Sequence, residues 1–163
     1  MRELYRNLYV GSDDDYEKVK KDSSWFIIRA CKEGPGGHRD FLGYTTQGAS
    51  KDKNYLSVKK GNVLALNLID SPDPNYIPDA LINTALTFIK ECLGANRKVL
   101  VACNHGKSRA PGIIFLYLYS TGKLPSNYHQ AVKIFRQIYP NYNPGIGMEL
   151  YLRRRVREIK TLR

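Results

Sequence analysis

The 163-residue sequence has no apolar run approaching the ~20 residues that would span a bilayer. Its opening segment, MRELYRNLYVGS, carries no signal-peptide core. Cysteine is scarce: Cys31, Cys92 and Cys103 make three, an odd number without CxxC spacing. That argues against a disulfide framework or a zinc site and predicts a reducing, cytoplasmic setting. No repeat, low-complexity stretch or linker divides the chain, so residues 1–163 are expected to form one domain, long enough to bury a core. Acidic residues are also few, 15 against 26 Lys and Arg, for a net charge of +11. A positive field of that kind favours anionic partners: phosphorylated molecules, nucleic acid or an anionic membrane surface. The densest basic run, RRRVREIKTLR at the C-terminus, reads equally well as a solvated helix face.

Hydrophobic patterning predicts an α/β layout. NLYVGS (7–12) reads as a short strand, and DDDYEKVKKD as a helix with acids in its first turn, where the macrodipole favours them. WFIIRAC (25–31), VLALNLI (63–69) and KVLVA (98–102) read as buried strands. A helix is expected from about Ile77 to Leu93, with Pro78 tolerated in its first turn. APGIIFLYLYS, SNYHQAVKIFRQIY and GMELYLRRRVREI give three further helices. Strands alternating with helices and then a cluster of helices predict a mostly parallel sheet with a helical C-terminal part. Residues 32–61 have no sustained periodicity and read as a loop-rich excursion. They suit either a rim that sets substrate choice, with His38, Arg39, Lys51 and Lys53 touching groups beyond a phosphate, or a surface insertion.

The stretch VLVACNHGKSRAPG (99–112) is the chemical centre of the sequence. Cys103 ends an apolar strand, Gly106 lies mid-turn, and Arg109 opens a helix. Ligands of α/β folds gather at the carboxyl ends of strands. A tight loop running into a helix N-terminus offers successive N–H groups and the positive end of the dipole, a seat for a dianion. The same setting favours a thiolate, and Arg109 adds a planar fork that takes two phosphoryl oxygens at once. A lone cysteine would read as a small buried hydrophobe; the strand, glycine and arginine around this one favour a nucleophile. GKS at 106–108 does not make a nucleotide-hydrolase phosphate loop, because that motif needs a glycine at position 101, which is Val101.

CNHGKSRA resembles the signature loop of cysteine-based protein phosphatases, and the layout is most similar to their dual-specificity branch. NLYVGS resembles that family's opening strand, LIDSPDPN the place of its acid loop, and HQAVKIFRQIYPNYNPGIG its late helix and Pro-containing turn. Roughly 120 residues fit, with 32–61 the poorest match. Low-molecular-weight phosphatases share the Cys-x5-Arg spacing but carry it near the N-terminus. The resemblance implies a cysteine-phosphatase-like fold and a phosphomonoester hydrolase that needs no metal or other cofactor. It implies Cys103 as nucleophile, with Asn104, His105, Gly106, Lys107, Ser108 and Arg109 around the phosphate. It also implies Asp70 as general acid, with Asp73 as the second candidate.

Two positions depart from the family: Ala102 stands where it usually has His, and Ala110 where it has Ser or Thr. The departures predict a slow second step, with Ser108 the residue placed to compensate. The resemblance implies a phosphorylated protein as substrate. RNA 5′ ends, phosphoinositides or other small phosphates are the alternative, and a non-catalytic phosphate-binding module is a third. Some relatives also carry a cysteine at the end of the second strand that traps the oxidised nucleophile. By that resemblance Cys31 is a candidate redox partner of Cys103; otherwise it is core packing.

Overall fold

In a computed structural model, which describes residues 1–44 and 54–161, the strands form one six-stranded sheet in the order β1-β2-β6-β3-β5-β4. In chain order the elements are β1 (Arg2–Tyr5), β2 (Leu8–Gly11), α1 (Asp13–Val19), β3 (Trp25–Arg29) and α2 (His38–Leu42). Then follow β4 (Ser57–Lys60), β5 (Val63–Leu66), a 3-10 turn (Pro74–Tyr76) and α3 (Asp79–Gly94). The chain continues with β6 (Lys98–Ala102), α4 (Arg109–Ser120), α5 (Tyr128–Ile138) and α6 (Ile146–Thr161). The four inner strands are mutually parallel, and β1 and β4 pair antiparallel at the two edges.

Strand periodicity divides the core between two faces. Val99 and Val101 of β6 and Ile28 of β3 point into the large cluster under α3 to α6. Leu100, Ala102 and Ile27, one residue out of phase, meet Tyr16 and Val19 of α1 on the other face. With apolar partners on both sides, β6 sits mid-sheet, as its unbroken apolar sequence requires.

The excursion at 32–61 contains more structure than its composition suggests. Residues 38–42 form α2, and 57–60 form the edge strand β4, registered Ser57 to Leu66 through Lys60 to Val63. β5 is shorter than expected: the chain leaves the sheet after Leu66, and residues 67–70 run out along the carboxyl edge. Pro78 caps α3 from outside the helix, and the second half of DSPDPN, Asp73 to Asn75, caps and opens the 3-10 turn that precedes it. No helix among the described residues is long and apolar enough to cross a membrane.

Candidate active site

β6 ends at Ala102, α4 begins at Arg109, and residues 103–108 make the turn between them at the carboxyl edge of the parallel strands. Gly106 has φ of +72°. A Cβ there would lie 3.1 Å from the Gly11 carbonyl oxygen, so the loop's close approach to β2 requires glycine. Cys103, almost fully buried, anchors the other side by donating its N–H to the same Gly11 carbonyl.

The loop's carbonyls are held from outside. Asn104 O accepts from Asp13 N–H at 3.2 Å, and Lys107 O accepts from Asn143 N–H at 2.8 Å. Gly106 O accepts from the Tyr139 hydroxyl at 2.7 Å. Burial raises the pKa of that hydroxyl, which keeps it a donor. The Ser108 hydroxyl oxygen accepts from Gly145 N–H at 2.9 Å. Among the described residues, by contrast, none of the backbone N–H groups of 104–109 has a protein acceptor. A loop with three of its carbonyls tied back and six successive donors left open at a helix N-terminus has the make-up to seat an anion.

Arg109 completes the seat and is fixed at two points. One terminal nitrogen donates to the Leu68 carbonyl at 3.0 Å, the other to Asn104 Oδ1 at 2.6 Å. Asn104 is oriented in turn: its amide nitrogen donates to both carboxylate oxygens of Asp13, at 3.2 and 3.3 Å, and to Glu33 O at 3.0 Å. Behind Asp13 lies Arg29, a fully buried arginine on the α1 face of β3. It donates to Asp13 and to Pro35 O and packs 4.6 Å from the Tyr16 ring centre. A charge this deep is tolerable only with a counter-ion, which Asp13 supplies. The sequence reading missed this chain, Arg29 to Asp13 to Asn104 to Arg109. Its signal was an arginine closing an otherwise apolar strand.

Asp70 is exposed and takes part in no hydrogen bond or ion pair among the described residues. One of its oxygens lies 3.1 Å from the position a Cβ would take at Gly145, whose N–H holds Ser108. The structure thus brings Asp70 to the flank of the loop. Asp73 is otherwise employed, accepting from Asn75 N–H at 2.9 Å to cap the 3-10 turn. His105 and Lys107 point outward at the loop surface, and Ala102 and Ala110 are fully buried.

Cys31 is fully buried two residues beyond Arg29, which pairs with Ala102. Burial pushes its thiol up to about 11, against the pull of Arg29 and Arg109, while Cys103 is near enough to raise it further. All three cysteines are free. His38 does not reach the site. It is fully buried, with its ring nitrogens on Tyr44 Oη at 2.9 Å and Asn54 O at 2.7 Å, and serves to pin α2. Arg39 pairs with Glu33 at 3.1 Å, and Lys51 and Lys53 lie outside the described residues.

Residues 45–155 match the family profile of the dual specificity phosphatase catalytic domain. No curated protein matches the sequence significantly. Among solved structures, human DUSP28 is similar at TM-score 0.69 and 15% identity, covering 100% of each chain. A leucine-rich repeat and phosphatase domain protein from Entamoeba histolytica is similar at 0.67 and 16%, covering 99% of this chain and 93% of that one. Human tyrosine phosphatase-like serine/threonine/tyrosine-interacting protein follows at 0.66 and 18%, covering 100% and 98%.

Proposed function

We propose, since the chain belongs to the dual specificity phosphatase catalytic-domain family and is a cysteine-based protein phosphatase, that Cys103, Arg109 and Asp70 carry its reaction. The observation that supports this most is the row of open N–H donors at 104–109 beside a doubly fixed Arg109. Cys103 sulfur attacks phosphorus in line while the bond to the substrate oxygen breaks, and protonated Asp70 gives that oxygen its proton. The three equatorial oxygens rest on the loop donors and the Arg109 fork, so the barrier falls mainly by preorganised electrostatics. Asp70, now a carboxylate, takes a proton from water as the water attacks phosphorus; the sulfur–phosphorus bond breaks and inorganic phosphate leaves.

Ala110 gives the departing sulfur no hydroxyl. Ser108 Oγ accepts from Gly145 N–H and keeps its own proton to donate, which makes it the residue suited to that role. The same reading takes residues 1–163 as one catalytic unit acting on phosphoproteins in the cytoplasm.

Two substitutions test it together. Cys103→Ser should lower turnover of p-nitrophenyl phosphate by about 1000-fold or more while vanadate still binds, because the seat is backbone plus Arg109. Asp70→Asn should slow alkyl phosphates by about 100-fold or more and p-nitrophenyl phosphate by less than about 10-fold, since a good leaving group needs little protonation. RNA 5′ ends and phosphoinositides belong in the same substrate panel. Turnover surviving in Cys103→Ser would sink covalent catalysis, and the leaving-group pattern appearing in Asp73→Asn instead would move the acid.

A further inference from the structure

Leu68 O accepts from Arg109 on one side, at 3.0 Å, and from Lys32 N–H on the other, at 2.9 Å. Lys32 in turn lines a second concavity of about 340 Å³, with Tyr55, Leu56, Ile69, Tyr76 and Pro78, so residues on both sides of Leu68 link the arginine's anchor to this concavity. Its volume is at the low end for ligand pockets, ~300–1,000 Å³, the size for one side chain or ring rather than a whole ligand. Tyr55, Ile69 and Tyr76 are large apolar residues left exposed at the surface, Tyr76 at 62%. Ile69 immediately precedes Asp70. Lys32 is the one charged residue on the wall among the described residues; Asn67 and Asn75 supply the polar edge.

The reaction geometry decides where a substrate body must go. With phosphorus over Cys103 and the leaving oxygen at Asp70, the rest of the substrate emerges over the 69–76 segment. This concavity opens beside that segment. We infer that it is a specificity pocket for an apolar side chain, aromatic or leucine-like, flanking the phosphorylated residue of a protein substrate. Apolar walls with a single cation fit an apolar residue of an anionic phosphopeptide. A nucleic acid strand would call for several cations along the path of its backbone. The inference rests on the phosphoprotein reading above, and its test is built to fail separately from it.

The test walks Phe and Leu from positions −3 to +3 of a polar phosphopeptide, in paired phosphotyrosine and phosphothreonine versions. At one or two positions kcat/KM should exceed the alanine peptide by about 10-fold or more, the worth of one apolar group in a hydrophobic pocket. Tyr76→Ser and Tyr55→Ser should each cut that gain to about threefold or less while p-nitrophenyl phosphate hydrolysis stays within about twofold of native, since the small substrate does not reach the pocket. Fluorescence anisotropy of the same peptides on Cys103→Ser reads the preference without turnover, so a failure of the proposed chemistry leaves the pocket testable. A flat walk by both measurements overturns the inference. So does a 5′-phosphorylated RNA oligonucleotide that outcompetes the best peptide and loses its advantage in the tyrosine variants, because the occupant is then a base.

Discussion

Cys31 shows how far one residue's environment governs its chemistry. Its place beside the end of β6 fits the role of trapping an oxidised Cys103, yet burial holds its thiol at about 11. Because the thiolate is the attacking form, roughly one molecule in ten thousand is poised to attack at pH 7. The sign follows directly: raising the pH toward 11 increases the reactive fraction about tenfold per unit, and lowering it suppresses the trap. Under limiting peroxide, the ratio of Cys31–Cys103 disulfide to sulfinic Cys103, read by non-reducing mass spectrometry, should therefore climb steeply between pH 7 and 10. A ratio flat with pH, or no cross-link at any pH, would leave Cys31 as core packing. The reading of Asp70 rests on a similar residue-level contrast. It and Asp73 share the string DSPDPN; the place of Asp70 at the flank of the loop favours it, and the 3-10 turn, which consumes Asp73 as a cap, widens the contrast.

At the scale of elements, the start of α1, the end of β3 and the loop at 33–37 converge on Asn104. Asp13 fixes the amide so that its oxygen faces Arg109, and Arg29 fixes Asp13. Asp13→Asn should cost about 2–3 kcal/mol of stability, toward the low end for a broken buried pair because the Asp13 side chain is 30% exposed. It should also lower kcat/KM on p-nitrophenyl phosphate by about tenfold or more, through misplacement of Arg109. In an Asn104→Ala background the activity loss should vanish while the urea-measured stability loss persists, since Arg29 is unpaired either way. Activity losses that add in full would make Asp13 purely structural.

Elements rich in apolar residues were legible in the sequence, β3, β6, α3 and α4 among them, because burial on one or both faces writes itself as periodicity. β1 and β4 were not. Each is four residues long, has a single buried residue and is held by backbone bonds to one neighbour, so side-chain pattern carries no trace of them. The turn from Cys103 to Arg109 between β6 and α4 was legible because its signals, a strand end, a glycine and a helix start, lie within a few residues of one another. The relay behind it was not, since Asp13, Arg29 and Asn104 are far apart in sequence and are brought together by the parallel registers of β2 and of β3 with β6.

For the molecule as a whole, the structure bears on the two readings left open for the C-terminal basic run. In the run of arginines on α6, Arg153 pairs with Glu149, Arg154 with Asp79 and Glu158, and Arg155 with Asp79. Arg154 and Arg155 thereby fasten α6 to the start of α3, while Gly147 packs so tightly on Ser71 that a Cβ would overlap its carbonyl. These arginines stabilise the frame that carries Asp70; they are not a free anion patch. Internal ion pairs leave the net charge unchanged, so the whole +11 remains as a long-range field around the molecule, the kind that draws anionic substrates inward at low salt and is screened beyond ~8 Å at physiological ionic strength. Steering acts on encounter and not on the chemical step. Raising salt from 50 to 500 mM should lower kcat/KM for an acidic phosphopeptide about 10-fold while kcat changes less than about twofold. The singly phosphorylated aryl substrate, carrying less charge, should lose less. If kcat falls in parallel, the field acts inside the site, on the Arg109 contacts, and the net charge contributes nothing to capture.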